Sequence, residues 1–220
     1  MNITFFLYDG FTALDVIGVN EILSRLPDAN IQFAASWKGE VKTDSNSLKI
    51  VSTIEYERVK STDILIVPGS TVTFLEVIQD KSVLNWIKKI DESTTYTCAV
   101  SSGTIILAAA GLLYGKKATS HWYSLRFLAE YGVDIVEQRY IQDGKIITCA
   151  GSSAGIDMAL YMAARLSDKE NAQALQLMLE YDPAPPFHAG SLERASKETV
   201  LLAKRKLKEE ALRSGIFGII

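Results

Sequence analysis

The sequence predicts a single α/β domain, a sandwich built on a doubly wound, mostly parallel sheet, and three observations carry that prediction. Short apolar runs at Ile3–Leu7, Ile64–Val67 and Tyr96–Val100 have the length and continuity of strands buried on both faces. Helical stretches separate them, so strand and helix alternate along the chain. Two of the runs end in turns of small residues, Pro68-Gly69-Ser70 and Ser101-Ser102-Gly103, and strand ends are where open α/β sheets bind ligands.

Taken in order, Ile3 to Leu7 is apolar apart from Thr4, and Tyr8-Asp9-Gly10 turns the chain. From Thr12 onward, Leu14, Val16, Ile17, Val19, Ile22, Leu23 and Leu26 recur at helical spacing until Pro27-Asp28 ends the helix. Ile31 to Trp37 reads as the next strand, and Glu40 to Val51, broken by Asp44-Ser45-Asn46-Ser47, as a polar hairpin on the sheet edge. Leu75 to Ile90 supplies one or two helices with a break near Asp80-Lys81-Ser82. Thr104 to Leu113 is a helix too apolar for the surface. After Ser120-His121-Trp122 a helix runs to about Tyr131, followed by strands at Val133–Gln138 and Lys145–Cys149. Ala150 to Gly155 opens a helix that continues to about Leu166, and another spans Asp168–Glu180. The run Asp182-Pro183-Ala184-Pro185-Pro186 suits neither a helix nor a central strand. An amphipathic helix from Ser196 to about Arg213 and an apolar tail from Gly215 follow, which gives an α/β domain over 1–195 with 196–220 packed on it.

At 220 residues, 48% of them hydrophobic, the chain is long enough for one sizeable core. A net charge of −3 gives no general attraction to nucleic acid or to an anionic membrane. Cys98 and Cys149 both fall inside apolar strand runs, which argues against a disulfide framework and for small core residues. Met1-Asn2-Ile3-Thr4 passes into a strand without a basic start, and no apolar run reaches about 18 residues, so the expectation is a cytoplasmic protein.

The stretch Ala99-Val100-Ser101-Ser102-Gly103 has the small residues of a nucleophile elbow, with Ser101 in the nucleophile's place. A serine hydroxyl needs a base and an orienting acid, and His121 and His188 are the two histidines. The order Ser101, Asp157, His188 formally matches an α/β-hydrolase triad, yet the chain is short for that fold and no His-Gly-Gly loop precedes the elbow. Asp15 is an acid on an apolar helical face. It reads either as a helix-dipole partner or as a desolvated carboxyl held over the elbow to act as general acid. His121 reads as a partly buried structural histidine or as support for the site. Gly69, Ser70, Ser102 and Gly103 could offer backbone N–H groups to an anion, as turns at strand ends do. No nucleotide or metal motif is present, so neither a cofactor nor a metal is expected.

Four segments carry a resemblance: Phe11 to Gly18 with Glu21; Ile66-Val67-Pro68-Gly69; Ala108 to Leu113 continuing through Gly115, Lys116, Ala118, Thr119, His121 and Trp122; and Gly151 to Met158. With Leu179 to Phe187, they make the chain similar to the ThiJ/PfpI superfamily, in its isonitrile hydratase branch. The resemblance implies a flavodoxin-like arrangement, a reactive cysteine at the elbow and a carboxylic acid from the first helix. By position the acid is Asp15, and the nucleophile site is Ser101 rather than a cysteine. Cys98 lies three residues earlier in the strand, and Val19 stands where a proline usually follows Gly18. Two functions are implied: hydration of an isonitrile to a formamide, blunted while residue 101 is serine, or small-molecule binding without turnover. Ser101 would then be an engineered replacement or a natural one. A homodimer is implied too, supported by the apolar tail Ile216-Phe217-Gly218-Ile219-Ile220. Members of the superfamily fused to AraC-type modules exist, but no such module is expected in this length. Lys204-Arg205-Lys206 with Lys208 reads as a solvated helix face.

Overall fold

The apolar runs become neighbouring strands of one sheet in the computed structural model, which describes residues 1–213. The strands are β1 (Asn2–Phe6), β2 (Asn30–Ala35), β3 (Gly39–Lys42), β4 (Lys49–Ser52), β5 (Ile54–Glu55), β6 (Ile64–Val67), β7 (Tyr96–Val100), β8 (Lys117–Ala118), β9 (Asp134–Ile135), β10 (Tyr140–Asp143) and β11 (Ile146–Cys149). The helices are α1 (Ala13–Leu23), α2 (Phe74–Val77), α3 (Lys81–Asp91), α4 (Gly103–Ala109), α5 (Leu125–Leu128), α6 (Ala154–Leu166), α7 (Lys169–Met178) and α8 (Lys197–Arg213).

The main sheet runs β10-β11-β7-β6-β1-β2-β5. Every pair in it is parallel except β10 with β11. β6 and β11 are buried at every residue, and that is why they read as continuous apolar runs rather than as alternating ones. From β1 the chain steps to β2 on one side, whereas from β6 it steps to β7 and then β11 on the other. Right-handed crossovers then put α1 on one face of the sheet and α3 and α4 on the opposite face, with α6 packed beside α1. The direction of winding therefore reverses between β1 and β6. Their carboxyl ends open onto the crevice in which such sheets hold ligands.

Several expectations are corrected. The polar hairpin β3–β4 is a separate two-stranded sheet, and the two-residue β5 takes the edge of the main one. The helix after the elbow is shorter than its apolar run because Gly111, at φ 81, turns the chain out of it. Leu112 N–H reaches the Leu107 carbonyl (3.1 Å) and Gly111 N–H the Ala108 carbonyl (2.9 Å), the paired bonds of a glycine-terminated helix end. The strand expected over Val133–Gln138 shrinks to β9, paired with β8 outside the main sheet. β10 was hidden in a partly polar segment, since an antiparallel edge strand is only half covered. The expected terminal helix is present, but Ala211 is its one buried residue. The apolar tail lies outside the described residues, and with it the dimer expectation placed there. No helix among the described residues is long and apolar enough to cross a membrane.

Candidate functional site

β7 enters its turn with Ser101 at φ 57, in the left-handed region that a residue with a side chain rarely occupies. Neighbouring elements hold it there. Its N–H donates to the Cys149 carbonyl at the end of β11 (3.0 Å), and its carbonyl accepts from Ser120 Oγ (2.7 Å). This is the strained strand-to-helix turn that the run of small residues predicts. Gly103 then opens α4 against the end of β6, where a methyl group on it would lie 2.3 Å from the Val67 carbonyl oxygen. Only glycine lets the helix start this close to the strand.

Asp15 lies in the first turn of α1 and is fully buried. Its Oδ2 accepts from the Gly69 N–H (2.8 Å), while Oδ1 closes no hydrogen bond among the described residues. Burial pushes its pKa from 3.8 to about 7, against the lowering effects of the nearby Ser152 hydroxyl and the Gly69 amide. The Ser152 contact falls short of a hydrogen bond on Oδ1, and the Asp44 charge adds to the upward push. The geometry shows a buried carboxyl in the first turn of the helix, not an exposed one at its end.

A raised carboxyl pKa has a definite sign in stability. Between pH 3.8 and about 7 the unfolded chain has lost the Asp15 proton and the folded chain keeps it. The contribution is complete below that window and is lost as pH rises through it, on the order of 4 kcal/mol in all. Asp15→Asn stays neutral at every pH. Its urea-unfolding free energy relative to the parent should therefore climb by a few kcal/mol from pH 4 to pH 8, and a constant difference would mean that buried Asp15 is ionised.

Gly69 joins the acid to the elbow. A methyl group on it would lie 2.7 Å from Ser102 N and 3.0 Å from Gly103 N. The anion-hole expectation is narrowed at two positions, because Gly69 N–H is taken by Asp15 and Ser70 N–H donates to Ser102 Oγ (2.9 Å). Ser102 Oγ in turn donates to the Ser70 carbonyl (2.8 Å). The N–H groups of Ser102 and Gly103, at the first positions of α4, have no intrahelical acceptor by the geometry of a helix start. His121 packs on the loop before α6: a methyl group on Gly151 would lie 2.9 Å from its Cδ2. Its Nδ1 accepts a long hydrogen bond from Tyr123 N–H (3.4 Å), and burial holds its pKa below 6.5. Cys98 and Cys149 are buried, and desolvation raises both thiols well above their usual range, so neither supplies a thiolate.

Residues 1–165 match the DJ-1/PfpI family. The chain belongs to the DJ-1/PfpI family. It is 35% identical over 207 residues to the isonitrile hydratase of Pseudomonas putida, covering 94% of this chain and 90% of that one. It superimposes on a ThiJ/PfpI family protein from Pseudomonas syringae with a TM-score of 0.89 at 34% identity, covering 98% of this chain and 90% of that one. The transcriptional regulator CdhR of Pseudomonas aeruginosa is 30% identical over 123 residues, 55% of this chain but only 36% of the regulator.

Within this DJ-1/PfpI chain the formal Ser101, Asp157, His188 order does not assemble a triad. Asp157 is bound by Arg139 through two 2.5 Å contacts and accepts from the Tyr181 hydroxyl (2.8 Å). His188 lies in the exposed proline-rich segment. Two site residues escaped sequence reading. Ser152 was visible as part of a small-residue helix start, a signal too common to assign. Asp44 was visible only as hairpin polarity, and its place beside α1 is a tertiary fact.

Proposed function

We propose that the chain is an isonitrile hydratase-like enzyme in which serine occupies the nucleophile position and Asp15 is the proton donor. The observation that carries this reading is the buried Asp15 carboxyl, raised to about 7 and held by the amide of Gly69, whose turn abuts Ser102 and Gly103. The likeness to a hydratase over nearly the full length of both chains supports the choice of substrate class. In this reading a cysteine thiolate at residue 101, or the Ser101 oxygen as its hydroxyl proton passes to Asp15, bonds to the terminal carbon of R–N≡C while Asp15 gives its own proton to that carbon. An imidate, or thioimidate when residue 101 is cysteine, results. Water adds its oxygen to the same carbon and a proton to nitrogen. The bond to residue 101 then breaks, the proton of the added hydroxyl passes to Asp15 where a thiolate leaves or to the oxygen where Ser101 leaves, and R–NH–CHO departs. Ser102 and Gly103 amides face the charge that builds at residue 101. The test is formamide formation by Ser101→Cys.

One observation favours a second reading, a binding or sensor member without turnover. Among the described residues no histidine or carboxylate hydrogen-bonds the Ser101 hydroxyl, so nothing activates it. A chain of this kind stays inactive as Ser101→Cys while still retaining a ligand in the cleft.

The proposal includes a homodimer. Leu14 and Ile17 of α1 are 42% and 36% exposed, and partly buried Ile156 of α6 packs against α1 at Gly18. An apolar patch of that kind is a common association surface. Sedimentation should show a dimer at micromolar concentration that Ile17→Lys weakens; a monomer throughout would remove this part.

A further inference from the structure

The hairpin β3–β4 stands outside the main sheet, yet its turn is stitched to the start of α1. Gly10 N–H donates to the Lys42 carbonyl (2.8 Å), Lys42 N–H to the Asp9 carboxylate (2.9 Å) and Asp44 N–H to the Phe11 carbonyl (3.0 Å). Thr12 is the residue that caps α1, and a threonine there ordinarily accepts from an N–H of its own helix. It makes no such bond. Its hydroxyl instead donates to Asp44 Oδ2 (2.6 Å), with Thr71 Oγ1 at 3.5 Å from the same oxygen. Thr12 N–H donates to the Gly69 carbonyl (2.8 Å), and Gly69 N–H returns to Asp15 Oδ2 (2.8 Å). One chain of bonds thus runs from Asp44 through Thr12 and Gly69 to Asp15.

We propose that Asp44 is a positioning residue for Asp15: through Thr12 it fixes the start of α1 under Gly69. The proposal rests on Asp15 being the proton donor. A helix that gives up its cap bond loses stability. Here that hydroxyl is directed to a second carboxylate beside the site.

The electrostatics agree with the geometry. The Asp44 charge raises Asp15 and also Tyr8, whose hydroxyl donates to the Pro68 carbonyl (3.1 Å). Around Asp44 a cleft of about 800 Å³ presents Asp9, Lys42 and Glu76, with Glu210 and Arg213 arriving from α8. On the Asp15 side stand Tyr8 and Cys149, both kept neutral by burial. Among all these groups Asp44 is the one whose charge acts on Asp15. No cation among the described residues pairs with either carboxylate.

The test is a ¹³C NMR titration of the Asp15 side chain in the parent, Asp44→Asn and Asp44→Glu. Asparagine still accepts from Thr12 but carries no charge, so the Asp15 midpoint should fall by roughly half a unit. Glutamate should return most of it. Thr12→Val cuts the stitch and keeps the charge, and amide exchange at Gly69 should then quicken by roughly tenfold as its bond to Asp15 loosens. In a Ser101→Cys background, Asp44→Asn should move the alkaline limb of the pH–rate profile to lower pH. A merely structural role would leave that limb unmoved. An Asp15 midpoint raised in the parent and unchanged in Asp44→Asn overturns the electrostatic role of Asp44 and leaves Asp15 as the acid. Unchanged Gly69 exchange in Thr12→Val overturns the positioning role. A parent midpoint in the ordinary carboxylate range overturns both the proposal and the acid reading.

Discussion

Ser101→Cys should convert a small isonitrile to its N-substituted formamide at roughly 10³ times the rate of the present chain, or more. On the proposed reading the remaining parts are Asp15 and the start of α4. A cysteine thiol with an ordinary pKa of about 8.5 is a few per cent thiolate at pH 7, and the start of α4 raises that fraction. Among the described residues no histidine or carboxylate hydrogen-bonds the Ser101 hydroxyl: His121 Nδ1 accepts from the Tyr123 amide and Asp157 is held by Arg139. Adding Asp15→Ala to Ser101→Cys should remove about 10²–10⁴ of the gain, the usual size of a positioned general acid. Product formation followed by chromatography or NMR decides the matter. If Ser101→Cys turns over none of a panel of isonitriles, while circular dichroism shows it folded, the hydratase reading is wrong and the binding reading takes its place.

Gly103→Ala should cost about 3 kcal/mol or more of stability, although alanine is the better helix former by about 1 kcal/mol. The added methyl would meet the Val67 carbonyl oxygen at 2.3 Å and the Pro68 carbonyl carbon at 2.8 Å. Both are backbone atoms at the end of a strand buried at every residue, so neither can yield without moving β6 or α4. Separating them would also pull Gly69 from the elbow and so disturb the Asp15 carboxyl. Gly111→Ala is the comparison that isolates overlap from backbone strain. Gly111 sits at φ 81 with no described residue within 4 Å of a methyl group, so its replacement should cost only about 1 kcal/mol. Urea unfolding of the two variants should separate them by about 2 kcal/mol, and equal losses would show that α4 is not seated by this contact.

The sequence by itself determined the strands and helices that build the crevice. β6 and β7 were legible to the residue because strands buried on both faces are nearly continuous in apolar residues, Thr97 being the polar one, which donates to the Asp91 carboxylate. The elbow was legible for a related reason: a tight strand-to-helix turn admits only small residues, and Ser101-Ser102-Gly103 satisfies that demand locally. Asp15 was legible as an anomaly, one acid on an apolar face, and its apolar neighbours already pointed to a raised pKa; the groups that hold it there were not legible. Whether it serves the helix dipole or holds a proton depends on how much water and which donors reach it. Residues far away in the chain supply those: Gly69, Ser152 and Asp44. The same limit hid the hairpin's role and the engagement of the Gly69 and Ser70 amides, since a backbone N–H carries no signature of its partner in the sequence. Local periodicity records what each segment must bury against its own neighbours. Only the folded chain brings Asp44, Thr12, Gly69 and Asp15 into one line of hydrogen bonds, because contacts between residues tens of positions apart are set by sheet order and crossover hand rather than by any short motif.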